Sequence, residues 1–245
     1  QAMVSNPRYK QHGIRFFLIS DDETPRSDDS SPSQPRVLIF QQPKGFAAEY
    51  EAIELQVSTL DEAAIALQRY FAGEPLPQAL TRNPLRRDLF ICTHGQYHKC
   101  CGRYGYPFYQ QAQQLKQQWD LPALRIWQVS HIGGHRFAPT LIDLPQGRYY
   151  GRLSADGLKL LIRQQGDWRS LLPYYRGWSL LPKSMQLLER QHWQTKGWSW
   201  LAQQIYCPSP ELQPTGPAVV HTTPRRGNAR MAAATSKEPA SGTRL

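Results

Sequence analysis

The 245-residue chain has no apolar run of even ten residues, where a helix crossing a membrane needs roughly 20. No helical membrane span is expected. Cysteine is scarce: there are four, two of them adjacent, and they form neither an even set of spaced pairs nor a Cys-x-x-Cys redox motif. A disulfide framework is therefore not the source of stability, and a chain of this length can bury a core without one. The N-terminal residues lack the charged start, apolar stretch and small-residue cleavage site of a secretory leader, so the expectation is a reduced, cytoplasmic protein. The arginines are scattered and accompany no nucleic-acid-binding motif, which leaves nothing to point to DNA or RNA as a partner.

What the chain does have is a positive balance, 29 Lys and Arg against 19 Asp and Glu. By segment, residues 1–35 sum to −1, 36–206 to +8 and 207–245 to +3, so the charge belongs mainly to the part expected to fold. Such a surface can attract nucleic acid, anionic lipid or an acidic protein partner, and charge alone does not choose among them.

Residues 1–35 hold one apolar run, Ile14–Ile19, followed by a Ser-, Pro- and Asp-rich stretch, and are expected to form a flexible segment. Arg36–Phe40 reads as a buried strand and Ile53–Val57 as a second. Thr59 opens a helix through a capping box with Glu62; Leu60, Ala63, Ala64, Leu67 and Phe71 form its apolar face and Gly73 its stop. With the Pro-containing connection that follows, residues 36–86 make a strand–helix extension. Asp88–Cys92 is the next strand, and a helix follows Gly102 with Pro107 in its first turn and Phe108, Ala112, Leu115 and Trp119 on one face. Strands at Arg125–Ser130, Thr140–Leu144 and Arg148–Leu153 come next, the last two joined by Pro145-Gln146-Gly147, and then a helix at Asp156–Gln165. This order predicts an α/β layer over residues 87–169, with helices covering a mixed sheet. Residues 170–206 are expected to be a mostly helical extension, with Leu187, Leu188, Trp193, Trp198 and Trp200 covering a sheet face, and residues 207–245 a disordered tail.

Two stretches stand out, CTHGQYHKCC at Cys92–Cys101 and HIGGH at His131–His135, each just past a buried strand. They hold three of the four cysteines and four of the seven histidines. Thiolates and neutral imidazoles are the softer protein ligands, suited to zinc, copper and iron–sulfur clusters. Gly133 and Gly134 favour a loop whose backbone N–H groups can approach a bound group closely. A structural zinc module with two Cys and two His fits the His-x3-His spacing, although Cys-x8-Cys is wider than zinc sites normally use. A thiol oxidoreductase acting through Cys100 or Cys101 beside the helix start is a third reading. Any one of these residues, taken alone, could serve packing.

The runs LFICTHG, CCGRYG, WQVSHIGGHRFAPTL, YYGRL and YYRGWS resemble those of the sucrase/ferredoxin-like family over residues 36–195, most specifically at Ser130–Pro139. The resemblance implies a thioredoxin-like ferredoxin fold for residues 87–169 and a [2Fe-2S] cluster held by two cysteines and two histidines. Carried over residue by residue, the ligands are Cys92, Cys101, His131 and His135; Cys101 is preferred to Cys100 because the family pattern places a small residue, here Gly102, after the second ligand. The chain departs from the pattern at Tyr97-His98, where Arg-Asp is usual, which makes His98 a rival ligand or proton carrier, and at Thr140, where Asn is common. His94 is expected to hydrogen-bond around the site, Cys100 to be a neighbouring thiol and Cys207 a free one. The implied role is an electron carrier rather than an enzyme. Asp and Glu are sparse around both stretches, so no glycosidase-like carboxylate pair supports the first half of the family's name. If both histidines bind one iron, neutral imidazoles replace thiolates and the potential rises; a proton held on the free ring nitrogen would then make it fall with rising pH, as suits a proton-coupled carrier or redox sensor. The basic folded part suggests a redox partner protein such as a flavoprotein reductase, with Arg103, Arg125, Arg136 and Arg152 as docking candidates.

Overall fold

The computed structural model describes residues 14–20, 35–76, 79–81, 86–207 and 222–224. Its strands are β1 Ile19–Ser20, β2 Arg36–Gln41, β3 Gly45–Ala47, β4 Glu51–Gln56, β5 Ala79–Thr81, β6 Arg87–Cys92, β7 Leu124–Val129, β8 Thr140–Leu144, β9 Arg148–Gly151, β10 Tyr175–Trp178, β11 Gln203–Cys207 and β12 Thr222–Pro224. Its α-helices are α1 Leu60–Ala72, α2 Tyr106–Gln118, α3 Ala155–Arg163 and α4 Gln186–Lys196.

A parallel pair, β6 and β7, lies inside a six-stranded sheet ordered β1-β7-β6-β8-β9-β10 in which every other pairing is antiparallel. The succession β6–α2–β7, then the β8–β9 hairpin, then α3, is the α/β layer with helices and a mixed sheet that the order of elements predicted. The hairpin closes as its turn residues predict: Gly147 takes φ +74° and donates its N–H to Asp143 O at 2.7 Å.

Strand alternation assigns the two faces of β6. Leu89 and Ile91 join one core with Phe108, Tyr109, Ala112 and Leu115 of α2 and Leu158 and Leu161 of α3. Phe90 and Cys92 turn to a second apolar cluster with Trp127, Val129, Ile132, Ile142, Leu144 and Cys101. The β2-β4-β5 sheet lies against this second face: Leu38 and Phe40 pack on the cluster, and Phe40 meets Phe90 edge-on at 5.9 Å. Arg125 fastens the layers. Its guanidinium donates to Asp88 at 2.6 Å and to Glu54 at 2.9 Å, joining β7, β6 and β4, while Trp127 Nε1 donates to the same Asp88 carboxylate at 2.9 Å. The docking role suggested for Arg125 is thereby corrected: its side chain is only 12% exposed and its hydrogen-bonding capacity is spent inside.

Helix α1 is capped as expected, with Thr59 Oγ1 accepting from Glu62 N at 3.1 Å and Gly73 at φ +72°. Its inward face differs. Ala66 is the buried position, Leu60 and Ala64 face solvent, and Tyr70 reaches Gln41 with a 2.8 Å hydrogen bond. Residues 170–206 contain two strands besides helix. Within α4, Leu187 and Leu188 point outward, because Glu189 and Trp193, spaced i,i+4, take the inner face. Glu189 is fully buried and its Oε1 accepts from Arg148 at 2.8 Å, Tyr175 at 2.9 Å and Trp200 at 2.7 Å. Arg148, equally buried, lies 4.3 Å from the Trp178 ring centroid.

In the N-terminal segment, Ile19–Ser20 form an edge strand on β7. The Ser-, Pro- and Asp-rich stretch 21–34 lies outside the described residues, as does the tail beyond Cys207 except for β12; Cys207 itself ends β11, opposite Gly45. Among the described residues, no helix is long and apolar enough to cross a membrane.

Candidate metal centre

Because β6 and β7 are parallel, both end on the same side of the sheet, with Cys92 in register with Val129. The two Cys/His stretches leave from these ends. The first loop folds back on itself through His98 N to His94 O at 3.3 Å and Cys101 N to His98 O at 2.9 Å. Cys101 opens a five-residue π-helical turn, Cys101–Gly105, that runs into α2. Wide turns of this kind gather at functional sites. Glycines make the fold-back possible: a Cβ on Gly102 would lie 2.9 Å from Gly95 Cα, and one on Gly105 would overlap the Cys92 carbonyl. Both thiols end up buried, Cys92 at 1% and Cys101 at 0% exposure.

The second loop is pinned at three points. Leu18 exchanges hydrogen bonds with Ser130, its N–H to Ser130 Oγ at 3.0 Å and Ser130 N to its carbonyl at 2.8 Å. Ile132 drops into the apolar cluster. Arg152 N donates to Phe137 O at 2.7 Å and Pro139 O at 2.9 Å. Between these points Gly133 at φ +94° and Gly134 at φ +68° reverse the chain, and His135 starts a single 3-10 turn.

The loops meet at His131. Its Nδ1 lies 3.9 Å from Cys92 Sγ and 3.7 Å from Cys101 Sγ. His98 stacks on His135 with ring centroids 3.7 Å apart and planes 23° apart, and the His131 ring is 5.2 Å from the first and 6.0 Å from the second. Tyr97, 62% exposed, covers His131 at 4.6 Å. The donor atoms form two groups, Cys92/Cys101/His131 and His98/His131/His135, each with all its atoms within 4.8 Å of one another. The four residues expected to ligate are thus divided between two groups that share His131, and His98 joins the second. Cys100 and His94 belong to neither; His94 Nδ1 is buried with no hydrogen-bond partner among the described residues.

A family model described as sucrase/ferredoxin-like matches residues 3–177. The chain belongs to the sucrase/ferredoxin-like family. Two solved structures of a thioredoxin-like [2Fe-2S] ferredoxin from Aquifex aeolicus are similar to this family member. One, a Cys-to-Ser variant, has 16% identity over 32% of this chain and 85% of its own, with a TM-score of 0.28. The other has 13% identity over 40% of this chain and 96% of its own, with a TM-score of 0.33. A search of curated proteins finds no match.

The electrostatics of the centre argue against free-thiol chemistry at Cys101 in this family member. Burial, then the neighbouring Cys92 and Cys100, pushes the Cys101 thiol up to about 12, so it keeps its proton at neutral pH. His131 is shifted down, first by burial and then by His98, His135 and His94, and so presents a neutral ring nitrogen. Two buried thiols beside imidazoles form a donor set of the kind that suits a soft or borderline metal group such as an iron–sulfur cluster or zinc.

Reading the sequence missed three contributors. Tyr97 and Ile132 sit within the two stretches without being donors. Arg176, from β10, reaches across to Phe137, 3.6 Å from its ring centroid. Only the YYRGWS run hinted at the last.

Proposed function

We propose that this family member carries a [2Fe-2S] cluster held by Cys92, Cys101, His131 and His135 and serves as a cytoplasmic one-electron carrier. The observation that carries the reading is the donor set: thiols and imidazoles fall into two overlapping groups joined at His131, which suits two adjacent metal ions better than one. When bound, the cluster supplies a reversible one-electron couple. The chain's own residues set its terms. Cys92 and Cys101, inside the apolar cluster, keep water from one side, while the half-buried His131 and His135 form the edge nearest solvent and hence nearest a partner. Replacing two anionic thiolates by neutral imidazoles raises the potential; in Rieske centres the same exchange moves it from about −400 mV to about −150 to +300 mV. A proton on the outer nitrogen of each imidazole is held more tightly in the reduced state, so the potential falls as pH rises, the behaviour of a proton-coupled carrier or redox sensor.

Exposed Arg152 and Arg176 both stand over Phe137, two residues after His135; exposed Arg136 follows His135 directly, and exposed Arg103 lies in the turn that Cys101 opens. They support docking of an acidic redox partner such as a flavoprotein reductase.

The 3.7 and 3.9 Å approaches of two sulfurs to His131 Nδ1 also suit a single tetrahedral zinc ion, which is the second reading. Anaerobic purification separates the two. Electron transfer predicts a coloured product with equal iron and acid-labile sulfide, a paramagnetic signal on reduction, and an altered spectrum in His135→Cys. A colourless, iron-free product with stoichiometric zinc overturns it.

A further inference from the structure

The centre holds one imidazole more than a four-ligand cluster can use. We propose that His98 is a reserve ligand sharing one coordination position with His135, so that His135 is replaceable and His131 is not. The inference rests on the [2Fe-2S] reading above.

His98 is delivered to the site by the same turn that delivers Cys101. The two are spaced i,i+3, and the 2.9 Å bond from Cys101 N to His98 O sets their side chains on one side of the turn. Its ring is surrounded by other rings: Tyr97 at 4.9 Å, His131 at 5.2 Å and His135 at 3.7 Å. The stack with His135 is decisive. The two rings are 3.7 Å apart and 23° from parallel, and one nitrogen of each lies within 4.8 Å of the other and of a His131 nitrogen, so either imidazole has a donor within reach of a position beside His131. Both side chains are half-buried, so a modest rotation of either places its nitrogen where the other's was.

His131 has no such understudy. It alone belongs to both donor groups and approaches both sulfurs. Cys100 is no substitute, since it lies in neither group. A [2Fe-2S] cluster would take four protein ligands; Cys92, Cys101 and His131 would supply three, and either member of the stack the fourth.

The test counts nitrogen ligands. Wild type, His98→Ala, His135→Ala, the double variant and His131→Ala are purified anaerobically with 15N-labelled histidine. Iron and sulfide per chain are measured, and nitrogen hyperfine couplings to the reduced cluster are read by pulsed electron paramagnetic resonance. Expected is a cluster with two nitrogen couplings in wild type and in each of the His98 and His135 single variants, loss of the second coupling or of the whole cluster in the double variant, and loss of the cluster in His131→Ala. Should His135→Ala fail to fold by circular dichroism, His135→Phe keeps a stacked ring without a donor and answers the same question. A His135 variant that folds but shows one coupling or no cluster, beside a wild type with two, overturns the reserve role alone. A wild type without nitrogen-ligated iron overturns the underlying reading instead.

Discussion

Gly105 rests against the carbonyl of Cys92 with no space for a side chain, so the start of α2 touches the end of β6 backbone to backbone. This contact is what lets Cys101, four residues earlier, lie over Cys92. Gly105→Ala is therefore expected to cost about 3 kcal/mol, as overpacking of a rigid backbone contact does, and to part the two thiols. Urea denaturation would measure the first effect. Iron and sulfide content of the folded fraction measures the second, and wild-type loading would contradict this account.

The buried Arg148–Glu189 pair makes a separate prediction about stability. Removing one partner, as in Glu189→Ala, strands a charge in an apolar site and is expected to cost about 3–5 kcal/mol, whereas Arg148→Met with Glu189→Leu costs far less. Comparing the urea midpoints of the single and double variants checks this. The spectrum of the metal centre should be unchanged in any variant that folds, because Arg148 joins β9 to α4 and its side-chain partners Tyr175, Trp178, Glu189 and Trp193 all lie outside the two Cys/His stretches.

Two shifts at the centre contribute to the pH dependence of the metal-free chain, beside those of the Tyr149, Tyr150 and Tyr175 hydroxyls, which burial raises. The Cys101 thiol is raised from its ordinary 9.0 to about 12, so the folded chain holds that proton more tightly than the unfolded one. The resulting stability is whole below pH 9.0 and is lost as pH rises toward about 12. His131 is lowered from 6.5, so its contribution is whole above that value and is lost as pH falls through the lowered one. Urea midpoints should decline at both ends of the range, with Cys101→Ala flattening the alkaline limb and His131→Asn the acid limb. Unchanged limbs in these variants would refute the assignment.

Charge reversal at Arg136, Arg152 and Arg176 is expected to slow reduction by an acidic flavoprotein reductase by about tenfold at low salt, and the difference should shrink as ionic strength rises. Stopped-flow rates across a salt series measure it. Arg125→Ala should instead lower the urea midpoint, because that guanidinium holds Asp88 and Glu54 rather than facing solvent.

Elements carried by their own local pattern were legible before the structure. β8 is read at Thr140–Leu144 because the turn Pro145-Gln146-Gly147 marks its end as one arm of a hairpin, and α1 is delimited by Thr59 and Gly73 because caps are local chemistry. What depends on distant partners was not. Arg125 looked like surface charge since Asp88 and Glu54 stand 37 and 71 positions away. The inward face of α1 shifted to Ala66 because periodicity marks a stripe but not how much of it a small sheet can cover. β10, with Gly177 inside it, has no strand pattern of its own and exists through pairing with β9. The donor-rich stretches were conspicuous by composition, yet the grouping that includes His98 and leaves out His94 follows from one turn and one stacked pair of rings.

The two hydrogen bonds between Leu18 and Ser130 have a consequence for the order of assembly. Leu18 is among the first described residues made, yet its partner stands 112 positions later, immediately before His131. The segment that steadies the histidine loop must wait, unpaired, until β7 has emerged, and it closes the longest loop in the six-stranded sheet. The histidine loop therefore takes its final shape only once about half of the chain has been made, although the segment that steadies it is among the first described residues synthesised.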